Sequence, residues 1–354
     1  MKIILGYSGG IDSTFSAYKL KKQGHEVFLA NMDVDIENRF GNERFEDMKK
    51  IANKLGCEIG FFDMKKLFKE KIADNFAEYY YNGKTPNPCI LCNPNIKFKL
   101  LESIRSDKGF DKIATGHYAK VINYNNINYL GTPKDTKKDQ TYMLYKLSWE
   151  KDTEGNPLID RILFLLSNKE KFEIKEILEK ENIPLLTSKE SQNICFLPDN
   201  DYTRFIKQNY PKTLTKGPIY NQKGEYLGEH KGLIYYTIGQ RHGLEFNKTS
   251  KMFVTKIDSN ENSIIAGYNE ELMSNIVNCN NLIIMEKSIE KSDFENNLIY
   301  GKVRYHHPIS EIDEIDGNKV VFKQPVRAIT PGQHCVIYKK IGNEYIIIGG
   351  GEID

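Results

Sequence analysis

The chain of 354 residues has no long apolar run, few cysteines and almost no net charge. Its longest uninterrupted apolar stretches, such as residues 162–166, are far shorter than the roughly 20 residues that cross a bilayer. The sequence therefore predicts no transmembrane helix. The start, MKIILGYSGG, has no small-residue cleavage site after its short apolar run, unlike a signal peptide. We expect a cytoplasmic protein without membrane attachment.

Only six cysteines occur, which is too few for a secreted disulfide scaffold and fits a reducing compartment. A second CxxC motif, which would complete a four-cysteine zinc site, is absent. Any special cysteine is therefore expected to act in catalysis or in an incomplete, open ligand site. Cys57, Cys279 and Cys335 have apolar or β-type neighbours, and we expect them to be inert.

The net charge of +2 conceals an uneven distribution. Residues 204–251, the basic segment, carry nine Lys or Arg against three Asp or Glu, whereas residues 252–354 carry ten against fifteen. Aromatic residues alternate with these charges, a mixture able to neutralise phosphates and stack on bases. A solvated face with the aromatics in a core is the other interpretation. The aromatics are Phe205, Tyr210, Tyr220, Tyr226, Tyr235, Tyr236 and Phe246.

The first 120 residues alternate β-rich runs with helical patterns, which is typical of a doubly wound parallel α/β sheet. After Pro211 the pattern changes to short β-rich runs separated by glycines, and from Asn280 onward it predicts an antiparallel β-barrel. We expect a catalytic domain over 1–203, a central domain over 204–271 and a C-terminal barrel over 272–354. In the first domain, strands are predicted over 2–7, 27–34, 58–64 and 112–115, and helices over 13–22, 42–55 and 65–81.

The strongest local motif is SGGIDS at residues 8–13, between a predicted buried strand and a predicted helix. Glycines let the backbone approach an anion, and the N–H groups and dipole at a helix N-terminus favour phosphate. A Walker loop would need Gly-Lys-Ser/Thr, and that Lys is absent. The motif predicts a loop that binds the phosphates of ATP differently, with a plain tight turn as the alternative.

The second motif is TPNPCILCN at residues 85–93. Pro86 and Pro88 favour an extended loop that presents Cys89 and Cys92 near the start of the next helix, where the dipole stabilises a thiolate. A lone CxxC fits half of a zinc site, a redox pair or two inert thiols. Cys195, far downstream in SQNICF, is a third candidate.

Two further segments are GHY at residues 116–118 and KDQ at residues 138–140. The first follows a predicted strand, where ligands of open α/β sheets bind, and the second adds charged and amide groups. His117 fits a general base or a hydrogen-bonded structural histidine.

In their order, these motifs resemble the bacterial tRNA-specific 2-thiouridylase family of PP-loop ATP pyrophosphatases. The resemblance implies a PP-loop domain, a central domain and a C-terminal β-barrel. It also implies sulfur insertion at C2 of the wobble uridine in tRNAs for Lys, Glu and Gln, using ATP and Mg2+ and releasing AMP and pyrophosphate. The partners would be tRNA and a sulfur donor, which is a cysteine desulfurase, a relay protein or free sulfide; DNA is not expected. The matching stretches are GYSGGIDST, GKTPNPCILCNPNIKF, ATGHYAK, KDQTYML, SQNICF, GEHKGLIYYTIGQRHGL, VRYHHP and PVRAITPGQHCVIY.

Carried over by motif, the resemblance implies three groups of site residues. In the catalytic group, Cys92 would be the nucleophile and Cys195 the carrier of a persulfide, with Cys89 as the third catalytic cysteine. ATP would be held by Gly6, Tyr7, Ser8, Gly9, Gly10, Ile11, Asp12, Ser13, Met32 and Gly116. The tRNA would be contacted by Asn87, Pro88, Cys89, Lys138, Asp139, Gln140, Arg304 and Tyr305.

The sequence departs from the common family pattern in three places. Cys89 stands where many members have an Asp thought to act as a base. For members with TPNPCxxCN, a four-iron four-sulfur cluster on three cysteines has been proposed, here Cys89, Cys92 and Cys195, with one iron open to sulfide. Residues 31–48 form a shorter segment than in some members, and Lys175 replaces a common Arg.

Two alternatives to thiolation stay open on the sequence alone. Another PP-loop adenylating enzyme, such as an amide-forming one, would keep its activity in Cys92→Ser and Cys195→Ser variants, because ammonia would be its nucleophile. An RNA-binding protein that has lost catalysis would bind tRNA without turning over ATP.

Overall fold

The computed structural model describes residues 1–39, 41–186, 194–197, 199, 201–212, 214–244, 251–285 and 289–354. The chain divides into two compact units that alternate along the sequence. The domain boundaries near 203 and 271 stay a prediction, because the division follows packing and not chain order. The first unit comprises Met1–Ile72, Cys89–Pro198 and Ile341–Ile347, and the second comprises Ala73–Pro88, Asp199–Lys340 and Ile348–Asp354.

The first unit is built on a parallel sheet, as predicted. The described strands in the N-terminal part of the chain, of which β5 and β6 lie outside the parallel sheet, are β1 (Lys2–Gly6), β2 (Glu26–Asp33), β3 (Glu58–Asp63), β4 (Lys112–Thr115), β5 (Lys120–Tyr124), β6 (Ile127–Gly131) and β7 (Ile162–Phe164). The sheet has the order β3-β2-β1-β4-β7, and each neighbouring pair is parallel. Residues 3–5 of β1 are fully buried, because helices cover both faces of a sheet of this kind.

Helices surround this sheet. They are α1 (Ile11–Lys22), α2 (Asn42–Leu55), α3 (Lys65–Phe68), α5 (Pro88–Cys92), α6 (Phe98–Lys108), α7 (Thr141–Leu144) and α8 (Lys171–Lys180), with α4 (Asp74–Tyr81) assigned to the second unit. On one face, Leu5 packs with Ala17 of α1 and Met48 of α2. The helix predicted over 65–81 is observed as a continuous helical run, in which a π-helical turn at Lys69–Ala73 separates α3 from α4. The π-helical turn itself was not predicted, because a single wide turn leaves no mark on hydrophobic periodicity.

β1 pairs with β2 on one side and with β4 on the other. The strand order therefore reverses at β1 and β4, whose carboxyl ends are Gly6 and Thr115. Ligands of open α/β sheets bind in the crevice outside such a reversal. The two segments that leave this crevice are the SGGIDS loop and GHY.

A hairpin of β5 and β6 was not predicted. Its turn consists of Asn125 and Asn126, both with positive φ angles (50° and 63°), which suit a two-residue hairpin turn. Within the first unit, Gly131 of β6 pairs with Ile346, so the hairpin partner comes from the distant end of the chain.

The second unit contains a mixed sheet and an antiparallel barrel. The sheet has the order β10-β11-β8-β9, and the barrel has the order β12-β15-β14-β13-β16-β17, closed by pairing of β12 with β17. Closure leaves no unpaired edge in the barrel. The fold class predicted from the sequence is thus confirmed. The described elements are β8 (Gly217–Asn221), β9 (Tyr226–His230), β10 (Phe253–Asp258), β11 (Ser263–Gly267), β12 (Met273–Ile284), β13 (Ile299–Lys302), β14 (Ser310–Asp316), β15 (Lys319–Arg327), β16 (His334–Ile341), β17 (Glu344–Ile353), α9 (Tyr202–Asn209) and α10 (Lys291–Glu295).

None of the described helices combines the length and the apolar character that a membrane span requires.

Candidate active site

The SGGIDS loop connects the carboxyl end of β1 to the first turn of α1. Gly10 is the N-cap residue in an extended conformation and offers no side chain to cap the helix. Ser13 Oγ lies 3.2 Å from Ser8 Oγ and donates to the Gly10 carbonyl over 3.1 Å, so the two serines hold the loop closed against the helix. The first N–H groups of α1 thus face an anion-compatible turn.

Asp12 is the carboxylate of this loop. Its Oδ1 accepts hydrogen bonds from the Tyr118 hydroxyl at 3.1 Å and from Lys171 Nζ at 2.5 Å. Tyr118 belongs to GHY and Lys171 to α8, so three separate segments meet at one carboxylate oxygen.

Gly116 lies against the same turn. A Cβ atom at this position would lie 2.9 Å from the backbone nitrogen of Ser13 and 3.0 Å from the carbonyl carbon of Asp12. No side chain fits in that space, which explains glycine here.

Met32 is half-buried near the carboxyl end of β2. Beside it, the amide of Asn31 donates to the Tyr7 carbonyl over 2.8 Å. The structure therefore brings Gly6–Ser13, the end of β2 and Gly116 to one edge of the sheet, which is compatible with the predicted nucleotide site.

The three candidate thiols influence one another although Cys195 is remote in sequence. Cys89 and Cys92 lie on α5, and the Cys195 thiolate would raise the pKa of both by charge repulsion. No disulfide bond is present among the cysteines, all of which belong to the described residues. The motif residues 191–193 that precede Cys195 lie outside the described residues.

The expectation of low pKa values for Cys89 and Cys92 is wrong. Desolvation raises the pKa of the half-buried Cys89 to about 11 and of the half-buried Cys92 to about 12. Cys195 is exposed, and its pKa is also raised, by desolvation from the neighbouring groups. The loss of hydration outweighs the helix dipole. The two cysteines lie near the start of a helix, as predicted, since α5 begins at Pro88, and proline suits the first position of a helix.

Lys97 is a site residue that sequence reasoning missed. Its positive charge lowers the pKa of all three thiols and so opposes part of the effect of burial. Its only sequence signal is its place in the family stretch GKTPNPCILCNPNIKF, which does not reveal its proximity to Cys195.

His117 is hydrogen-bonded at both ring nitrogens. Nε2 lies 3.2 Å from Lys97 Nζ and Nδ1 lies 2.9 Å from Thr115 Oγ1. Burial, together with the Lys97 charge, lowers the pKa of His117 well below its usual range. Because an ammonium group only donates, Nε2 accepts and Nδ1–H donates to Thr115. This geometry supports a neutral, hydrogen-bonded histidine over a general base.

Cys57, Cys279 and Cys335 are all buried. Burial raises the pKa of Cys57 to about 11, and a hydrogen bond with Cys279 raises the pKa of Cys335 well above its usual value. Their burial in the core fits inert thiols, but the contact between Cys279 and Cys335 was not predicted.

The thiols do not form a mononuclear metal site. Within the described part of the chain, no three His, Cys, Asp or Glu side chains are placed to hold a metal ion. Three soft thiol donors fit the chemistry of an iron-sulfur cluster, in which each cysteine binds a different iron.

Of the predicted tRNA contacts in the first unit, two side chains take part in local structure. Asp139 Oδ1 accepts from the backbone and the hydroxyl of Thr141, the first residue of α7, at 2.9 and 2.7 Å. Gln140 Oε1 accepts from the backbone nitrogen of Tyr118 at 2.9 Å, which ties KDQ to GHY. Lys138 is half-buried in a 3-10 turn.

The other predicted tRNA residues belong to the second unit. Arg304 donates to the Ile238 carbonyl at 3.0 Å and to Thr330 Oγ1 at 2.5 Å, so part of its guanidinium serves the fold. Tyr305 packs edge-on against the ring of His306. Asn87 is half-buried and Pro88 is buried.

In the basic segment, some aromatic residues lie in the core and others are exposed, so each of the two interpretations, core aromatics and a nucleic-acid surface, fits part of it. Phe205 and Tyr236 are buried in the core, whereas Tyr226 is 61% exposed. Lys212 pairs with Glu78 at 3.2 Å, while Lys216 and Arg241 are exposed. Phe246 lies outside the described residues.

Comparison with known proteins agrees with this arrangement over the whole chain. Residues 1–199 match the model of the tRNA methyl transferase HUP domain, residues 203–268 its PRC-barrel domain, and residues 283–353 the aminomethyltransferase beta-barrel domain. The tRNA-specific 2-thiouridylase MnmA of Clostridium acetobutylicum is 36% identical over 363 residues, covering 99% of both chains. The chain belongs to the tRNA-specific 2-thiouridylase MnmA family.

Two further similarities are a second relative of the same name and a solved structure that overlaps half of the chain. MnmA of Halothermothrix orenii is 38% identical over 368 residues, which cover 99% of this chain and 98% of its own. A solved 4-thiouridine synthetase–RNA complex with bound ATP overlaps 51% of this chain and 40% of its own, at 17% identity and a TM-score of 0.31.

Proposed function

We propose that this protein is an ATP-dependent tRNA 2-thiouridylase that acts on C2 of the wobble uridine of tRNAs for Lys, Glu and Gln. In the first half-reaction, uridine O2 attacks the α-phosphate of ATP and pyrophosphate leaves. In the second, sulfur attacks C2 and AMP leaves, which gives 2-thiouridine. Adenylation is needed because an oxygen at C2 is otherwise a poor leaving group.

The observation that carries this proposal is the group of three thiols with Lys97, in the same unit as the SGGIDS loop. A cation close to several thiols favours their thiolate forms, and a thiolate is the nucleophile that sulfur transfer uses. An enzyme that only forms amides has no use for them.

The ATP phosphates would be held by the SGGIDS loop and the first N–H groups of α1, with the adenosine near Met32 and Gly116. Asp12 is the carboxylate suited to Mg2+, which binds through one or two carboxylates and the substrate phosphates. Mg2+ would neutralise charge on the leaving pyrophosphate.

Sulfur would arrive on Cys195 as a persulfide from a sulfur donor. Attack of the Cys92 thiolate on the Cys195 sulfur would release hydrosulfide for C2 and leave a Cys92–Cys195 disulfide, which a dithiol reductant then reopens. With an iron-sulfur cluster bound by Cys89, Cys92 and Cys195, an open iron would hold the sulfide instead. Iron and acid-labile sulfide per chain in anaerobically purified wild-type and Cys89→Ala protein distinguish the two routes.

The experiment that tests the function is loss of 2-thiouridine from digested total tRNA after gene deletion, measured by mass spectrometry. The complementary test in vitro is tRNA-dependent release of AMP and pyrophosphate. An undiminished level of the nucleoside, with no second copy of the gene, would refute the proposal.

Cys92→Ser and Cys195→Ser variants separate thiolation from amide formation. We expect both to abolish 2-thiouridine formation, and Cys57→Ser to be the matched control that retains it. Full activity in both site variants would support the amide-forming alternative.

A further inference from the structure

A recess with a volume of about 580 Å³ lies beside the N-terminus of α1 in the first unit. One wall consists of residues 134–137, which precede KDQ, and the other consists of the first turns of α8. This volume falls within the range of roughly 300–1,000 Å³ that small ligands occupy. Ile11 of the SGGIDS loop also lines the recess, whereas none of the predicted site segments accounts for either wall.

The recess is basic. Four lysines line it, Lys134, Lys137, Lys171 and Lys175, against the two acids Asp135 and Glu170. The ion pairs of two lysines at the rim are long, since Lys134 lies 3.5 Å from Glu170 and Lys175 lies 3.9 Å from Glu179. Exposed pairs of this kind contribute little, so the lysines can turn to a phosphate at small cost.

Phe172 supplies the second, independent feature. It lies in the wall of the recess and is 60% exposed, although it belongs to an otherwise amphipathic helix whose Ile174 and Leu178 are buried. An aromatic ring held in water next to several lysines has the chemistry of a stacking platform for a nucleobase. A bare phosphate or pyrophosphate would make no use of such a ring.

We propose that this recess binds one nucleotide of the RNA substrate, with the base on Phe172 and the backbone phosphates on Lys137 and Lys175. The inference rests on the proposed function, in which RNA is the substrate, and adds a contact outside the segments that predict tRNA binding. Lys171, whose ammonium binds Asp12, connects the recess to the loop where ATP would react. A nucleotide held here would position its neighbour near that loop.

The test uses the full chain and unmodified tRNA transcript, with Phe172→Ala, Phe172→Tyr, Lys137→Ala and Lys175→Ala variants. Lys180→Ala, on the same helix but outside the recess, is the matched control. Affinity is measured by fluorescence anisotropy at several salt concentrations. Because the substituted side chains are exposed, the variants are expected to fold, which circular dichroism checks.

We expect Phe172→Ala to weaken tRNA binding roughly tenfold with an unchanged salt slope, since stacking is not ionic, and Phe172→Tyr to restore the affinity. Each lysine variant should lower the salt slope by about 0.7. Unchanged tRNA affinity in Phe172→Ala would overturn the inference. The inference would also be overturned if the lysine variants bind tRNA normally but their tRNA-dependent AMP release is less inhibited by inorganic pyrophosphate. Wild-type protein that binds no tRNA would instead refute the proposed function itself.

Discussion

Lys97 Nζ lies 3.2 Å from Nε2 of His117, and the same ammonium lowers the pKa of Cys89, Cys92 and Cys195. The neutral imidazole, held by Thr115, fixes the position of the cation without competing for its charge. His117 therefore acts on the thiols through Lys97, as a positioning residue.

The Lys97→Met variant should react more slowly with alkylating agents. Burial places the pKa of Cys89 at about 11 and that of Cys92 at about 12 in the wild type, so the reaction rate rises with pH up to that range. Removing the positive charge raises both pKa values further, and the thiolate fraction at pH 8 to 9 falls. Iodoacetamide labelling of metal-free protein, followed by mass spectrometry, measures the rates.

Lys99→Met is the control for this change, because Lys99 is exposed on the adjacent turn. We expect its labelling rates to match the wild type. Equal rates in Lys97→Met would show that Lys97 does not act on the thiols.

Gly116→Ala should impair ATP binding without unfolding the protein. The added methyl group would lie 2.9 Å from the Ser13 nitrogen, which forces the phosphate loop away from GHY. We expect the affinity for a non-hydrolysable ATP analogue to fall about tenfold, since small misplacements of a binding loop have large effects. Gly41→Ala is the control, because a Cβ at Gly41 meets no atom within 4 Å, and this variant should bind the analogue normally. Calorimetric titration measures the affinity of both variants. Equal affinities of Gly116→Ala and the wild type would contradict the steric argument.

Much of the first unit follows from local signals in the sequence. The helix predicted over 42–55 is observed at those residues, closed by Gly56 in a left-handed conformation, and β4 also matches its prediction. Buried runs and glycine caps are encoded by adjacent residues, so a single sequence is enough to find them.

What the sequence did not predict depends on distant partners. The β5–β6 hairpin pairs with Ile346, and Lys97 acts on a cysteine far along the chain. The thiol pKa values were also predicted in the wrong direction, because local dipole arguments do not include the burial that tertiary packing imposes. Pairing and desolvation of this kind are set by the fold as a whole.

A buried ion pair in α6 stabilises the first unit. Glu102 accepts from Arg105 Nε and Nη2 at 2.7 and 2.9 Å and from the backbone nitrogen of Thr153 at 3.0 Å. Glu102→Gln should lower the free energy of unfolding by about 3 kcal/mol, because the buried Arg105 loses its buried counter-charge and keeps only the half-exposed Glu154. Glu154→Gln removes a half-exposed partner of the same arginine and should cost less than about 0.5 kcal/mol. Urea denaturation measures both.

The effect of Glu102→Gln should depend on pH. Burial by itself raises the pKa of Glu102, but the hydrogen bonds from Arg105 and Thr153 outweigh it, and the pKa is lowered. A lowered carboxylate pKa contributes stability above the unfolded value of about 4.3 and loses it as pH falls through the folded value. The difference between wild type and variant should therefore be full at pH 7 and shrink below about pH 4. A difference that stays constant down to pH 3 would exclude this linkage.

Asp12→Asn should weaken the binding of Mg2+ that accompanies ATP. Its carboxylate now binds Lys171 at 2.5 Å and is one-third exposed, so the cation it faces is a lysine that Mg2+ can displace. An amide is a poorer ligand for a hard cation than a carboxylate. We expect the Mg2+ concentration that gives half-maximal binding of a non-hydrolysable ATP analogue to rise about tenfold, with stability nearly unchanged. Asp47→Asn, an exposed acid of α2 paired with Lys50, is the control. If Asp12→Asn titrates with Mg2+ as the wild type does, the metal is held by other groups and Asp12 serves only to anchor Lys171.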